Sequence, residues 1–259
     1  MIFIDYQNQE SADLYQNYLK SGKEFIYFKY LEWDTCFFRK TSYMLDLSRS
    51  NFEPSQTAQS LIEKQFEDSF VTAKIDTSLD YKYTYFLQQC GFYYVDTEIK
   101  LQNTFLPQSK PSDVNVEELY SNNLLPLQEL GEAFSLTRFH CDPHISIKEA
   151  DEVWISYLKN FVPSDTKKIY AAKINGEIAG VILSILNDHE AFLFFVAVLE
   201  PYRSKKIGSE LMQQTIKMLG NEKPIYTGTQ AKNIPALNFY MGNGFSKIVQ
   251  TNTVLHYWH

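Results

Sequence analysis

The chain has 259 residues, of which 44% are hydrophobic and 21% charged, with a formal charge of −7 at pH 7. That balance suits a folded chain with a real core, in one large or two small domains. The negative sum excludes a global basic field, so neither nucleic acid nor an anionic membrane is expected as the main partner. Cys36, Cys90 and Cys141 are scattered and lack a paired metal-ligand spacing, so they read as reduced thiols of a cytoplasmic protein with no bound metal. No apolar run reaches membrane-spanning length, and Met1 to Asp5 lacks the basic start of a signal peptide.

In chain order, Ser11 to Leu19 reads as a helical patch and Phe25 to Tyr30 as a strand. Trp33, Phe37 and Phe38 follow, and core packing is their simplest reading. Pro54 to Phe66 is an amphipathic helix with Leu61, Ile62 and Phe66 on one side. Phe70 to Ile75 is a strand, Tyr81 to Gln89 a helix closed by Gly91, and Phe92 to Thr104 alternates as a strand does. Leu106 to Val114, with Pro107, Ser109, Pro111 and Ser112, reads as a linker between domains spanning 1–113 and 114–259. Leu124 to Phe134 is the next helix, Thr137 to Ile145 is polar and irregular, and Ile147 to Phe161 is helical again. Lys168 to Lys173 and Glu177 to Leu186 form a hairpin about Asn175-Gly176, and Glu190 to Val198 is a further strand.

That strand runs into Glu200-Pro-Tyr-Arg203-Ser-Lys205-Lys206-Ile207-Gly208-Ser209, after which Leu211, Thr215 and Leu219 mark one face of a helix. The first amides of a helix entered this way have no intrahelical partner and lie at the positive end of its dipole. With Arg203, Lys205 and Lys206 beside them, a phosphate or pyrophosphate is the natural guest; a basic loop before a surface helix is the plainer reading. Ile225 to Thr229 is then a strand. Asn233 to Phe245 holds a short helix with Pro235 in its first turn and Gly242 and Gly244 at its end, and Ser246 to Tyr257 is the last strand.

These two segments together resemble the acyl-CoA site of the GNAT superfamily of N-acetyltransferases. The family loop runs Arg/Gln-x-x-Gly-x-Gly/Ala. Arg203 and Gly208 match its ends, and Lys206 stands where the middle glycine would be. The later family pattern, Asn-x-x-Ala-x-x-x-Tyr-x-x-x-Gly-Phe, is matched by Asn233, Ala236, Tyr240, Gly244 and Phe245. The resemblance implies an α/β fold with a mixed sheet and acetyl-CoA or a longer acyl-CoA as cosubstrate. It implies a binding set of Val196, Val198, Arg203, Lys205, Lys206, Ile207, Gly208, Ser209, Asn233 and Asn238. The strand ahead of the loop should splay from its neighbour at a bulge, freeing backbone groups at Val196 and Val198. If the Lys206 position needs φ > 0, its side chain carries a modest cost.

Tyr240 is the candidate proton donor to the leaving sulfur. A phenol ionises near pH ~10, so it is protonated at neutral pH and can donate; an aromatic packed under the last strand is the competing reading. His140 is a candidate general base by its ordinary pKa range, although a lone histidine is more often structural. Arg138 could pair with a diphosphate, or with a surface carboxylate.

The opening Trp33-Asp-Thr-Cys-Phe-Phe38 and the segment Arg138-Phe-His140-Cys-Asp142-Pro resemble the dTDP-fucosamine acetyltransferases within that superfamily. That likeness implies a dTDP-linked 3- or 4-amino-6-deoxy sugar as acceptor, with Arg138, His140 and Asp142 around it, and a homodimer is compatible with it. The remaining readings are a GNAT enzyme for another amine (a protein N-terminus, polyamine or antibiotic), an acyl-CoA sensor without turnover, and, distantly, a tRNA-dependent peptidyl transferase.

Residues 71–104 also resemble 225–257. The pairs Gly91-Phe92 and Gly244-Phe245 superpose, and Leu87 falls where Tyr240 stands. This predicts a degenerate half-copy of the acetyltransferase fold, without a phosphate loop, ahead of the complete one.

Overall fold

The computed structural model describes residues 16–21, 23–79, 81–105, 114–220 and 222–259. Its elements are β1 (Gln16–Ser21), β2 (Glu24–Tyr30), α1 (Glu32–Phe38), β3 (Ser42–Asn51), α2 (Gln56–Gln65), β4 (Phe70–Asp76), α3 (Tyr81–Gln89), β5 (Tyr93–Gln102) and β6 (Asn115–Leu119). There follow α4 (Leu127–Glu132), α5 (Arg138–Cys141), α6 (Ile147–Asn160), β7 (Lys167–Ile174), β8 (Glu177–Leu186), β9 (Ala191–Val198), α7 (Ile207–Leu219), β10 (Ile225–Gln230), α8 (Ile234–Gly242) and β11 (Lys247–Trp258). The chain divides into two units. One is centred on Ile99–His140 and Ile145–Val249; the other holds Asp5–Glu98, Cys141–His144 and Gln250–His259. Each is an α/β structure on a mixed sheet, the class expected.

In the second of these units the strands run β1-β2-β3-β4-β11, with β3 and β4 parallel and the other pairs antiparallel. Ile26, Phe28, Leu45, Val71, Ala73 and Ile75 on the strands meet Ile62, Phe66, Phe86 and Leu87 of α2 and α3 in one core. Ser55 starts α2 by accepting the Ala58 amide at 3.2 Å. The expected helix over 11–19 is corrected. Residues 16–19 belong to β1, where Tyr18 opposes Tyr27 with ring centroids 5.8 Å apart. Cross-strand pairing overrides the local periodicity there. Residues 11–15, Met1 to Asp5 and most of the expected linker, 106–113, lie outside the described residues.

In the first unit the order is β10-β9-β8-β7-β6, with only β9 and β10 parallel. Alternation along the strands builds two cores. Leu193, Ile182 and Ile225 face Ile207, Leu211, Met212 and Ile216 of α7. Val181, Phe192 and Phe194 face Leu130 of α4 and Trp154 and Leu158 of α6. A capping box between Ser146 and Glu149 opens α6. Asn175 and Gly176 take φ of 52° and 87°, as a two-residue hairpin of this hand requires.

The internal similarity has a structural counterpart. β4-α3-β5 and β10-α8-β11 are the same strand–helix–strand frame. Gly91 and Gly244 take φ of 91° and 94°. The Phe92 amide donates to the Leu87 carbonyl at 3.0 Å, and the Phe245 amide to the Tyr240 carbonyl at 3.0 Å. The units divide inside the third strand of each frame: β11 pairs with β4 from Asn252↔Asp76 to Trp258↔Phe70, while Asn103, just past β5, donates to Ile225 of β10 at 2.8 Å.

Candidate functional site

The site begins where β9 and β10 part. Their parallel register covers Ile225↔Ala191, Tyr226↔Phe192 and Thr227↔Leu193, and stops there, although β9 continues to Val198 and β10 to Gln230. On the other edge of β9, Leu183 faces Phe195 while Ser184 faces Leu193, so Phe194 is the extra residue of a bulge. Phe194 and Phe195 consequently fall in the same core. Past the bulge Val196 packs on the α7 side and is half-buried, as is Val198. The two strands form the expected open V.

A 3-10 turn, Glu200–Tyr202, leads from β9 into the loop. Ser204 and Lys206 are left-handed, with φ of 60° and 63°. Lys206 therefore holds the glycine-like backbone shape expected there. The first intrahelical bond of α7 is from the Glu210 amide to the Lys206 carbonyl at 3.1 Å, which leaves the amides of Ile207, Gly208 and Ser209 at the open end of the helix. A Cβ on Gly208 would meet Phe239 Cε2 and Val198 Cγ2, each at 3.2 Å, so glycine lets the helix start close to both. Arg203 donates Nε–H to the Val198 carbonyl at 2.9 Å and Lys205 Nζ donates to the Pro201 carbonyl at 2.9 Å. The Val198 carbonyl is thus held by the loop itself. The amide cluster, the dipole and three exposed cations fit the diphosphate of an acyl-CoA. Asn233 caps α8, its Oδ1 accepting the Ala236 amide at 3.2 Å, and Asn238 is exposed on the same helix.

Tyr240 is 7% exposed. Its ring lies 5.5 Å from Phe239 and 6.1 Å from Phe245, centroid to centroid. Its hydroxyl bonds to Thr227, the last β10 residue in register with β9, and Thr227 Oγ1 donates to the Leu193 carbonyl at 2.9 Å. The phenol is thereby fixed at the apex of the V. Burial pushes it up to about 12 against a smaller downward pull from the Thr227 hydroxyl, so it stays protonated and able to donate. Thr227 has no sequence motif to announce it; only the end of the strand register reveals it.

Within the polar segment Arg138–Cys141 forms a short helix, α5, while Thr137 and Asp142 to Ile145 are irregular. Arg138 stacks over the Phe139 ring at 4.5 Å. His140 is held at both nitrogens, by Thr137 Oγ1 at 2.7 Å and by Asp151 Oδ1 of α6 at 3.1 Å, with its side chain 5% exposed. That arrangement anchors α5 to α6. Asp142 falls in the other unit. Its buried carboxylate accepts from Tyr93 Oη at 2.9 Å, the His144 amide at 2.8 Å, His256 Nδ1 at 2.5 Å and Trp258 Nε1 at 3.1 Å. Four donors use the lone-pair directions a carboxylate has. Burial alone would raise this carboxyl; the His256 contacts, the amide and the indole outweigh it and hold it below the ordinary range.

Among the described residues no three His, Cys, Asp or Glu side chains are grouped to hold a metal, and no helix is long and apolar enough to cross a membrane.

A loop with left-handed residues at Ser204 and Lys206 thus follows a parallel strand pair whose register ends at Thr227, beside Tyr240. Residues 132–245 match the model of the Acetyltransferase (GNAT) family. The chain is 28% identical over 129 residues to the spore coat polysaccharide biosynthesis protein SpsD of Bacillus subtilis, covering 49% of this chain and 44% of that protein. The match to an N-alpha-acetyltransferase of Sulfurisphaera tokodaii is 24% over 120 residues, 40% of this chain and 68% of that one. The chain thus spans under half the length of the first relative. Among solved structures, a conserved protein of unknown function from Staphylococcus epidermidis aligns with TM-score 0.64 at 16% identity over 96% of this chain and 98% of the other. A GCN5-related N-acetyltransferase from Kribbella flavida aligns with TM-score 0.61 at 15% identity over 95% and 93%. Residues 132–245 are thus similar to the GNAT acetyltransferase family, and the solved structures share the fold of the chain.

Proposed function

We propose that this chain is an N-acyltransferase that moves an acyl group from acyl-CoA to the amino group of a nucleotide-linked 3- or 4-amino-6-deoxy sugar. The observation that carries the transferase part is the Tyr240–Thr227 bond at the point where β9 and β10 part. The acyl-CoA supplies a thioester carbonyl. The α7 amides hold its diphosphate, the open edge of β9 at Val196 orients its pantetheine arm, and Tyr240 gives a proton to the departing sulfur. The amine attacks in its neutral form; the proton it loses as the C–N bond forms and the C–S bond breaks is released to solvent, and the Tyr240 phenol is re-protonated from solvent.

The sugar acceptor is supported by the likeness to SpsD, a polysaccharide biosynthesis protein, and by the Arg138–Pro143 segment. The likeness to an N-alpha-acetyltransferase keeps a protein N-terminus as the second acceptor to test. The deciding experiment supplies dTDP-3-amino and dTDP-4-amino sugars, peptides and polyamines with several acyl-CoAs, and identifies products by mass and NMR. An N-acylated nucleotide sugar is expected; selective acylation of peptides would replace the sugar reading.

A further inference from the structure

We propose that Gln230 is a specificity residue for the acceptor, its side-chain amide donating to an oxygen that the acceptor carries beside its amine. The inference deepens the transferase reading above and rests on it. Gln230 ends β10, is 4% exposed, and its Nε2 makes no hydrogen bond among the described residues. A buried amide N–H without a partner is a standing cost in a folded protein, and it is tolerated where a ligand completes it.

Its place fits that role. Gln230 lies three positions past Thr227, in the part of β10 that β9 no longer covers. Side chains alternate along a strand. Ile225 packs in the α7-side core and Thr227 meets Tyr240, so the odd positions face the leaving-group side. Tyr226 packs on the opposite core with α6, so Gln230 points to that face. α6 also holds α5 through the His140–Asp151 contact, which brings the Arg138 helix to the same side. A thioester lying in the V has its sulfur toward Tyr240, and the amine approaches from the other face. The unsatisfied atom is a donor. It matches a hydroxyl, ether or phosphoryl oxygen and disfavours a bare ammonium chain. An amino sugar, with a hydroxyl next to its amine, has the complement, and a polyamine lacks it.

The test compares wild type with Gln230→Met and Gln230→Glu in two readouts. Thermal unfolding without ligand should show Gln230→Met as stable as wild type or more so, because the unpaired amide is gone. In kinetics the same variant should raise the KM for a hydroxyl-bearing amino sugar by about tenfold or more. It should leave the acyl-CoA KM within about twofold, since only the acceptor contact is lost. An acceptor deoxygenated beside the amine should show no difference between variant and wild type. A lowered unfolding temperature with unchanged acceptor KM makes Gln230 a structural residue and overturns the proposal, as does a change confined to the acyl-CoA KM. If wild type acylates no amino sugar, the sugar reading falls by itself. The unfolding comparison, and the same kinetics on whichever amine is turned over, then decide Gln230 separately.

Discussion

Arg203 donates Nε–H to the carbonyl of Val198 at 2.9 Å, tying the phosphate loop to the end of the strand that splays. One bond therefore couples loop shape to strand end. Arg203→Ala removes that tie and a cation from the anion site. The expected result is a CoA affinity lower by roughly tenfold, consistent with loss of a charge-assisted hydrogen bond, read by calorimetric titration. Arg203→Lys should recover less than half of the loss, because an ammonium cannot reproduce the guanidinium geometry.

Lys206 pays for its left-handed φ of 63°. Lys206→Gly is expected to leave the unfolding temperature nearly unchanged, because relief of about 1 kcal/mol of strain is offset by the entropy glycine loses on folding. Lys206→Val should destabilise by about 2 kcal/mol, since a β-branched residue tolerates that region poorly. Denaturant titration of both variants checks the pair.

Gly244 is the tightest backbone approach in its frame. A Cβ there would stand 1.9 Å from the Phe105 carbonyl oxygen, and its φ is 94°. Gly244→Ala should cost about 3 kcal/mol or more and appear as reduced soluble yield and an earlier unfolding transition. Gly242→Ala, with nothing near its Cβ, is the matched control and should change little.

Much of this fold is legible in the sequence where local and tertiary signals agree. The α6 helix, the Asn175-Gly176 turn and the α7 stripe each announce themselves. So does the repeated Gly-Phe, because a glycine with positive φ ends the helix in both frames. β1 does not, because its pairing with β2 decides its structure and its own periodicity points elsewhere. β3 is missed for a similar reason: its first half is covered by β2 and β4 while its end is exposed, so its pattern is not periodic. The acceptor face is the least legible. Asp142 reads as a polar pocket residue next to His140, yet its partners Tyr93, His256 and Trp258 come from distant strands. Gln230 is a single polar residue at a strand end, and only its missing partner distinguishes it.

The Asp142–His256 contact gives a pH prediction. The Asp142 carboxyl is held below its ordinary value of 3.8, so its contribution to stability is present above that value and is lost as pH falls through the lower, folded one. Asp142→Asn should destabilise by about 3 kcal/mol at neutral pH, because a buried carboxylate that satisfies four donors is lost. The gap to wild type should narrow below pH ~4, as the wild-type carboxyl protonates. Unfolding temperatures measured from pH 7 to pH 3 on both proteins read this directly.

Tyr240→Phe should lower kcat by about tenfold or more with CoA affinity unchanged, as expected for loss of a general acid. Because burial pushes the phenol up to about 12, no loss of activity attributable to Tyr240 is expected between pH 7 and 9. Steady-state rates across that range, with calorimetry on the variant, separate donor from packing roles: an unchanged kcat would leave Tyr240 a packing residue.

The central claim is that an acyl-CoA diphosphate sits on the amides that open α7. A crystal structure of the protein with coenzyme A tests it most directly. The account predicts diphosphate oxygens within hydrogen-bonding distance of the Ile207, Gly208 and Ser209 amides, with the pantetheine arm entering the V between β9 and β10. Coenzyme A bound elsewhere, with those amides turned to solvent or covered by the Lys205 or Lys206 side chains, would contradict it.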